Sequence, residues 1–140
     1  MVRAVMDTNV LVAALRSTTG ASHEVLRLLR LGRWRMLLSN HLLFEYEELA
    51  KRQAVEIPLV MTDVDDVLDA LAAGAEQHGL RPGWAPRLID PDDEPLLQLA
   101  VEAGANCIVT HNIRHLKPAE AFGILVLEPA GFLAKLRETT

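Results

Sequence analysis

The chain has few of the features that mark secreted and membrane proteins. It contains one cysteine, Cys107, among 140 residues, which excludes an internal disulfide and fits a reducing compartment. No apolar run approaches the ~18 residues that a membrane-spanning helix needs, and no basic and apolar leader precedes Asp7. We therefore expect a soluble, cytoplasmic protein with no secretory signal and no membrane partner.

A net positive charge is also missing. The formal net charge at pH 7 is −5, which argues against a protein that coats nucleic acid through bulk positive charge. Residues 54–80 contain no lysine or arginine, whereas residues 1–35 contain six arginines against Asp7 and Glu24. The amino-terminal quarter can therefore form a basic face on an acidic protein, although solvated helix surfaces would give the same pattern.

Repeats, low-complexity tracts and linkers are absent as well, and the length suits one domain, residues 1–140, with its own core. Short apolar runs alternate with amphipathic stretches. The predicted strands are VRAVM (2–6), WRMLL (34–38), RLI (87–89), CIVT (107–110) and ILVLE (124–128). Six helices are predicted. The first begins near residue 10, the second covers 23–31 after a Ser22 cap, and the third runs from 39 or 40 to about 52. The fourth covers 62–79 after a break at Pro58, and the last two cover 96–104 and 129–138.

Continuously apolar strands that alternate with helices predict an α/β fold, in which helices cover both faces of a parallel sheet. Ligands bind such folds beyond the carboxyl ends of the strands. Four residues with side-chain oxygens fall in that region. Asp7 follows the first predicted strand, Glu45 lies about one turn into the helix after the second, Asp93 follows the third and Asn112 the fourth.

Crowded carboxylates repel one another and raise their pKa values unless a cation lies among them. Magnesium and manganese ions favour oxygen ligands, keep some bound waters and bind the phosphate oxygens of a substrate. The pattern therefore predicts a divalent-metal site that is suited to phosphodiester cleavage.

Four stretches in order resemble the motifs of PIN-domain nucleases: MDTNVLVAAL (6–15), SNHLLFEYEEL (39–49), DPDDEPLLQLAVEAGANCIVTHN (90–112) and IRHL (113–116). The resemblance covers essentially the whole chain and is greatest to the VapC-like branch of toxin–antitoxin PIN toxins. It implies a three-layer α/β/α fold around a parallel sheet of about five strands. It also implies ribonuclease activity that depends on Mg²⁺ or Mn²⁺, a small antitoxin protein as partner and a homodimer.

The family's residue roles can be carried over by position. Asp7, Glu45 and Asp93 match its acidic metal-binding positions. Asn9 matches the polar residue beside the first aspartate, and Thr110 matches the hydroxyl residue before the last motif. We therefore expect an endoribonuclease that prefers single-stranded RNA and acts as the toxin of a type II toxin–antitoxin system. The alternative is a catalytically weak PIN-like module that acts by binding RNA or an antitoxin.

Asn112 departs from the wider family pattern, because many PIN domains have a fourth aspartate there. We assign it to the catalytic site. Because the negative charge of an aspartate is missing, a second bound metal ion is less expected than the first. A helix cap is the plainer explanation for an asparagine at this position.

The acidic assignments have competitors too. Asp7 could cap a helix, and two further glutamates lie close to Glu45, namely Glu47 and Glu48. Acids before a helix also complement its dipole, and this interaction alone would explain the four acids within residues 90–94. In the family motif the metal-binding acid stands seven residues before an alanine. The alanine here is at position 100, so the motif selects Asp93 and leaves Asp90 and Asp92 as turn and cap residues.

Three other patterns suggest different functions. His111 and His115 could bind zinc together with Cys107 if all three converged. MDTNV resembles the nucleophile motif of some phosphotransferases, but Asn9 replaces its second aspartate. A stripe of arginines at 27, 30 and 33 is typical of a solvated helix face, and binding of RNA or an acidic partner is its other explanation.

Overall fold

The computed structural model of the protein describes residues 1–17, 19–52 and 61–139. The predicted break at Pro58 lies outside these residues. Five strands are described: β1 Arg3–Met6, β2 Arg35–Leu38, β3 Glu76–Gln77, β4 Cys107–Val109 and β5 Leu125–Leu127. The described helices are α1 Thr8–Arg16, α2 Ala21–Arg30, α3 Asn40–Arg52, α4 Met61–Gly74, α5 Glu94–Ala103, α6 Ile113–Leu116 and α7 Pro129–Glu138. Two 3₁₀ segments, Pro91–Asp93 and Lys117–Phe122, precede α5 and follow α6.

The strands form one parallel sheet in the order β3-β2-β1-β4-β5. β1 is therefore central, and Ala4, Val5 and Met6 are fully buried. This explains why residues 4–6 of the strand are all apolar, because helices cover both faces of the sheet there. The predicted three-layer α/β/α fold is confirmed.

Side chains of the core fix the helices that approach the sheet edge. Trp34 packs edge to face against Phe132, with ring centroids 5.1 Å apart, and its indole N–H donates to the carbonyl of Val25 at 3.0 Å. The buried Tyr46 hydroxyl donates to the carbonyl of Met6 at the end of β1. This hydrogen bond ties α3 to the carboxyl end of the central strand.

The prediction for the third strand is wrong. Residues 87–89 form no strand, and the third strand is the short β3, which pairs with Leu37 and Leu38 of β2. Helix α4 accordingly ends at Gly74, before the predicted end at residue 79. The Arg87 and Leu88 N–H groups donate to the Glu94 carboxylate, so this segment is bound to the first residue of α5 instead of joining the sheet.

The helix that follows α1 begins slightly earlier than the sequence predicts. Its N-cap residue is Gly20, with φ of 96°, a conformation that glycine adopts readily. Ser22 therefore lies within the first turn of α2, where it is buried, and does not cap the helix.

Candidate active site

Asp7 lies where β1 ends and α1 begins. Its backbone N–H donates to the carbonyl of Val109 at 2.9 Å, which extends the pairing of β1 with β4 by one residue. The side chain makes no capping hydrogen bond to α1, so capping does not explain an acid at this position. Only 8% of the residue is exposed, and this burial raises the pKa of Asp7 in spite of a 2.7 Å hydrogen bond from the Thr110 hydroxyl to Oδ2.

Glu45 faces Asp7 from α3. The Thr8 hydroxyl donates to its Oε1 at 2.5 Å, and the charge of Glu45 contributes to the raised pKa of Asp7 after burial. Glu47 and Glu48 form ion pairs with basic residues one turn further along the helix. Their charges are therefore neutralised at the surface, whereas Glu45 is turned towards another acid.

Asp93 reaches the same edge from the start of α5. Burial raises its pKa, and the charge of Asp7 raises it further. Among the described residues, its Oδ2 is the buried side-chain polar atom that lacks a hydrogen-bond partner. Its nearest ion-pair partner is His115, with Nδ1 3.8 Å from Oδ2. Asp7 thus interacts electrostatically with both of the other acids, with Glu45 through its own raised pKa and with Asp93 through the raised pKa of that residue.

The other acids of the 90–94 run have structural roles. Asp90 accepts a hydrogen bond from the backbone N–H of Asp92 at 2.9 Å, which confirms its assignment as a turn residue. The N-cap residue of α5 is Asp93 and not Asp92, because the 3₁₀ turn continues one residue further than predicted. Glu94 is buried and accepts from the Trp84 indole at 2.8 Å, so it holds the preceding loop.

Asn9, Thr110 and Asn112 form a hydrogen-bonded link between α1 and the end of β4. The fully buried Thr110 donates to Asp7 and accepts from the Asn112 N–H at 2.9 Å. Asn9 donates weakly to Asp7 Oδ2 at 3.4 Å and accepts from the backbone N–H of His111 at 3.3 Å. Asn112 is exposed at the N-cap position of α6, yet its side chain makes no capping hydrogen bond. Capping therefore does not account for this asparagine.

The zinc alternative gains no geometric support. Cys107 is buried, and burial raises the pKa of its thiol to about 11, whereas His111 and His115 are exposed. Within residues 1–17, 19–52 and 61–139, no group of three or more His, Cys, Asp or Glu side chains is already drawn together for a metal ion. The three acids of the sheet edge are near neighbours and not a ready-made cage.

The chemistry of the acids nevertheless fits a hard divalent cation. All their donor atoms are carboxylate oxygens, two of the three pKa values are raised, and one buried oxygen lacks a donor. A cation relieves such repulsion and satisfies such an oxygen. Glu45 and Asp93 also line a cleft of about 470 Å³, together with the exposed Phe44 and His41. A substrate in this cleft would contact two of the acids.

Sequence reasoning missed two contributors to this geometry. It placed Tyr46 on the inward face of α3 but not its hydrogen bond to the Met6 carbonyl, and it did not foresee that Thr8 orients Glu45. The position of Thr8 between Asp7 and Asn9 was the available signal. In the part of the chain that the structure describes, no helix has the length and apolarity required to cross a membrane.

Comparisons with known proteins agree with this architecture. No curated protein matches the sequence. The crystal structure of VapBC2 from Rickettsia felis bound to a DNA fragment from their promoter resembles the chain with a TM-score of 0.59, over 90% of this chain and 97% of that one, at 18% identity. A family model described as the PIN domain matches residues 3–114. Since that match covers most of the sequence, the chain belongs to the PIN domain family.

Proposed function

We propose that the protein is a metal-dependent endoribonuclease that hydrolyses the phosphodiester bonds of single-stranded RNA. One observation carries the proposal: Asp93 Oδ2 is buried without a hydrogen-bond donor among the described residues, while the charge of Asp7 raises the pKa of Asp93 and the charge of Glu45 contributes to the raised pKa of Asp7. Membership of a nuclease family supports the same conclusion.

In this proposal Asp7, Glu45 and Asp93 hold Mg²⁺ or Mn²⁺, which when bound would supply the positive charge that activates water and offsets the charge of the phosphate. Asn112 contributes a neutral amide oxygen or N–H at the edge of the site. Hydrolysis would leave a 5′-phosphate and a 3′-hydroxyl.

The surrounding residues keep the ligands in place. Thr110 and Asn9 both donate to Oδ2 of Asp7, which fixes the orientation of that carboxylate. Thr8 does the same for Glu45. Such supporting hydrogen bonds are worth ~10–100-fold in metal affinity or activity. We therefore assign Asn9 and Thr110 as supporting residues.

We also infer that the protein is the toxin of a type II toxin–antitoxin pair, a single domain over residues 1–140 that works in the cytoplasm. The likeness of its fold to VapBC2 and of its motifs to VapC-like proteins supports this role. A small antitoxin protein and a second copy of the chain are the proposed partners. Expression of the chain alone should slow growth, and co-expression of a small protein from the neighbouring reading frame should relieve the effect.

A matched pair of glutamates on α3 tests the nuclease site. We expect the purified protein to cleave single-stranded RNA in Mg²⁺ or Mn²⁺ and not in excess chelator. Glu45→Gln should abolish cleavage, while Glu48→Gln, on the same helix but ion-paired at the surface, should not. Undiminished cleavage in chelator would contradict the mechanism, and full activity of a folded Glu45→Gln variant would contradict the site.

The second candidate function is a catalytically weak module that binds RNA or an antitoxin. Two observations favour it: Asn112 stands in place of an acid, and the described residues hold no preformed cluster of three ligands. Calorimetric titration with Mn²⁺ distinguishes the two functions. A nuclease site should bind the ion and lose binding in Asp7→Asn, whereas an inert module should bind no ion in either protein.

A further inference from the structure

The loop between β3 and the 3₁₀ turn is attached to one face of α5. Its backbone forms hydrogen bonds with three polar side chains at intervals of four positions on α5, namely Glu94, Gln98 and Glu102. Glu94 accepts from the Arg87 N–H at 2.6 Å, Gln98 donates to the Arg81 carbonyl at 2.6 Å, and Glu102 accepts from the Arg81 N–H at 2.9 Å. A segment without sheet pairing thus has a fixed position.

Arg87 is an exposed cation that this loop holds in place. Its guanidinium carbon lies 5.5 Å from the ring centroid of Trp84 and 5.2 Å from that of Phe122. Contacts with aromatic faces position a guanidinium without neutralising its charge. Trp84 is itself anchored, because its indole N–H donates to Glu94 at 2.8 Å. Two rings thus orient a side chain that would otherwise sample many rotamers.

Among the described residues, no acid forms an ion pair with Arg87, so its positive charge is not neutralised by a neighbour. Glu94 is the acid whose pKa responds to Arg87, but its two oxygens already accept from one indole and two backbone N–H groups. The five N–H donors of a guanidinium match the oxygens of a phosphate.

Arg87 precedes the candidate active site in the chain, and its backbone is hydrogen-bonded beside it. Glu94, which binds its backbone, directly follows Asp93. A cluster of carboxylates repels the phosphates of RNA, so a strand that enters it needs cationic anchors beside it.

We propose that Arg87, held by Trp84 and Phe122, binds a backbone phosphate of the RNA strand that enters the candidate active site. This inference rests on the proposed nuclease function and adds a substrate-binding residue outside the family motifs. The phosphate contact carries no base specificity, so its contribution is the same for every RNA sequence.

The test compares two exposed arginines by Arg87→Ala and Arg30→Ala. Arg30 ends α2 before β2, at the opposite edge of the sheet. The probe is a labelled, mixed-sequence single-stranded RNA, bound to proteins that also carry Asp7→Asn so that it stays intact. We expect Arg87→Ala to weaken binding about five- to tenfold and to reduce the slope of log affinity against log salt by about 0.7, the value for one phosphate of a single strand. Arg30→Ala should change neither quantity.

Two further variants separate charge from folding. Arg87→Lys should recover most of the salt slope and Arg87→Gln should not, while all variants keep the same melting temperature. With Asp7 intact, Arg87→Ala should raise KM for RNA and leave kcat nearly unchanged, because the contact is made before and during the reaction alike.

The outcomes separate this inference from the function on which it rests. Wild-type cleavage with unchanged KM and salt slope in Arg87→Ala would overturn the role of Arg87 and leave the nuclease intact. The same result together with lost binding of a small antitoxin would assign Arg87 to a protein partner instead. A wild-type protein that neither binds nor cleaves the RNA would overturn both proposals.

Discussion

Strand β1 has a charged residue at each end, and the two charges have opposite surroundings. At the amino end, the Arg3 guanidinium donates to Glu76 at 2.6 and 3.1 Å and to the carbonyls of Ala103 and Gly104 at 2.7 and 3.0 Å. The pair lowers the pKa of Glu76 to about 2. Charge at this end therefore stabilises the fold, since β1, β3 and the turn before β4 meet on one side chain.

At the carboxyl end, acids face acids. Asp7 is buried beside Glu45, the pKa of Asp93 is raised in part by Asp7, and the partner of Asp93 is a single histidine 3.8 Å away. Ionised groups in such surroundings cost stability. The comparison shows that only three residues separate Arg3, whose charge stabilises the fold, from Asp7, whose charge costs stability. Tolerated charges of this kind are typical of functional sites.

The largest expected effect comes from neutralising the carboxyl end. Asp7→Asn and Asp93→Asn should each reduce RNA cleavage by more than about 100-fold, because each removes a proposed ligand of the metal ion. The metal-free melting temperature should stay the same or rise, since repulsion among the acids falls. Asp90→Asn is the control, because Asp90 caps a turn. Full activity of a folded Asp7→Asn protein would refute the site, and a lowered melting temperature would refute the comparison.

A substitution at the amino end of β1 should lower stability and leave cleavage unchanged. Arg3→Met removes the partner of Glu76 and of two carbonyls and should lower the free energy of unfolding by about 1–2 kcal/mol, a value discounted for partial exposure. RNA cleavage per folded molecule should be unchanged. Chemical denaturation and a cleavage assay at 25 °C measure the two quantities. If the variant lost activity at full stability, the two ends of β1 would not be separable.

Lowering the pH should change the free energy of unfolding in opposite directions at the two ends of β1. Glu76 has a pKa of about 2 in the folded protein and an ordinary value of 4.5, so its stabilising effect is complete above about pH 4.5 and is lost as the pH falls towards 2. Burial raises the pKa of Asp7 above its ordinary 3.8, so the cost of ionised Asp7 disappears as the pH falls through the raised value.

Unfolding free energies between pH 2 and 6 would measure this difference. Relative to wild type, Glu76→Gln should lose less stability on acidification, and Asp7→Asn should lose more, because it lacks the compensating gain. Identical pH profiles for the three proteins would show that neither carboxyl is coupled to folding.

The smallest effect concerns Asn112 at the margin of the acidic end. Asn112→Asp adds one negative charge, so it should tighten Mn²⁺ binding a few-fold and lower the metal-free melting temperature slightly. Asn112→Ala should weaken binding less than Asp7→Asn does. Calorimetric titration of the three variants provides the comparison. If Asn112→Asp changed neither quantity, Asn112 would lie beyond the reach of the ion.

Much of the fold could be predicted from sequence because its signals are local. β1, β2, β4 and β5 are short and largely apolar, and four of the five predicted strands are confirmed within a residue or so of their ends. Helix α3 agrees in both bounds, and its apolar period correctly placed Glu45 beside the buried Tyr46. The roles of Asp7, Glu45, Asp93 and Asn112 stay predictions, although Asp7 does interact with both Glu45 and Asp93.

The sequence by itself determined most of the alternation of strands and helices and the position of Asp7 directly after β1, because apolar period, glycine and proline act over a few residues. Only the tertiary structure decided which two residues form β3, since Glu76 and Gln77 become a strand by pairing with β2. It also decided that the loop before α5 is bound to Glu94 and that Arg87 contacts the rings of Trp84 and Phe122. Those contacts depend on hydrogen bonds and rings brought together from distant segments, which no local pattern encodes.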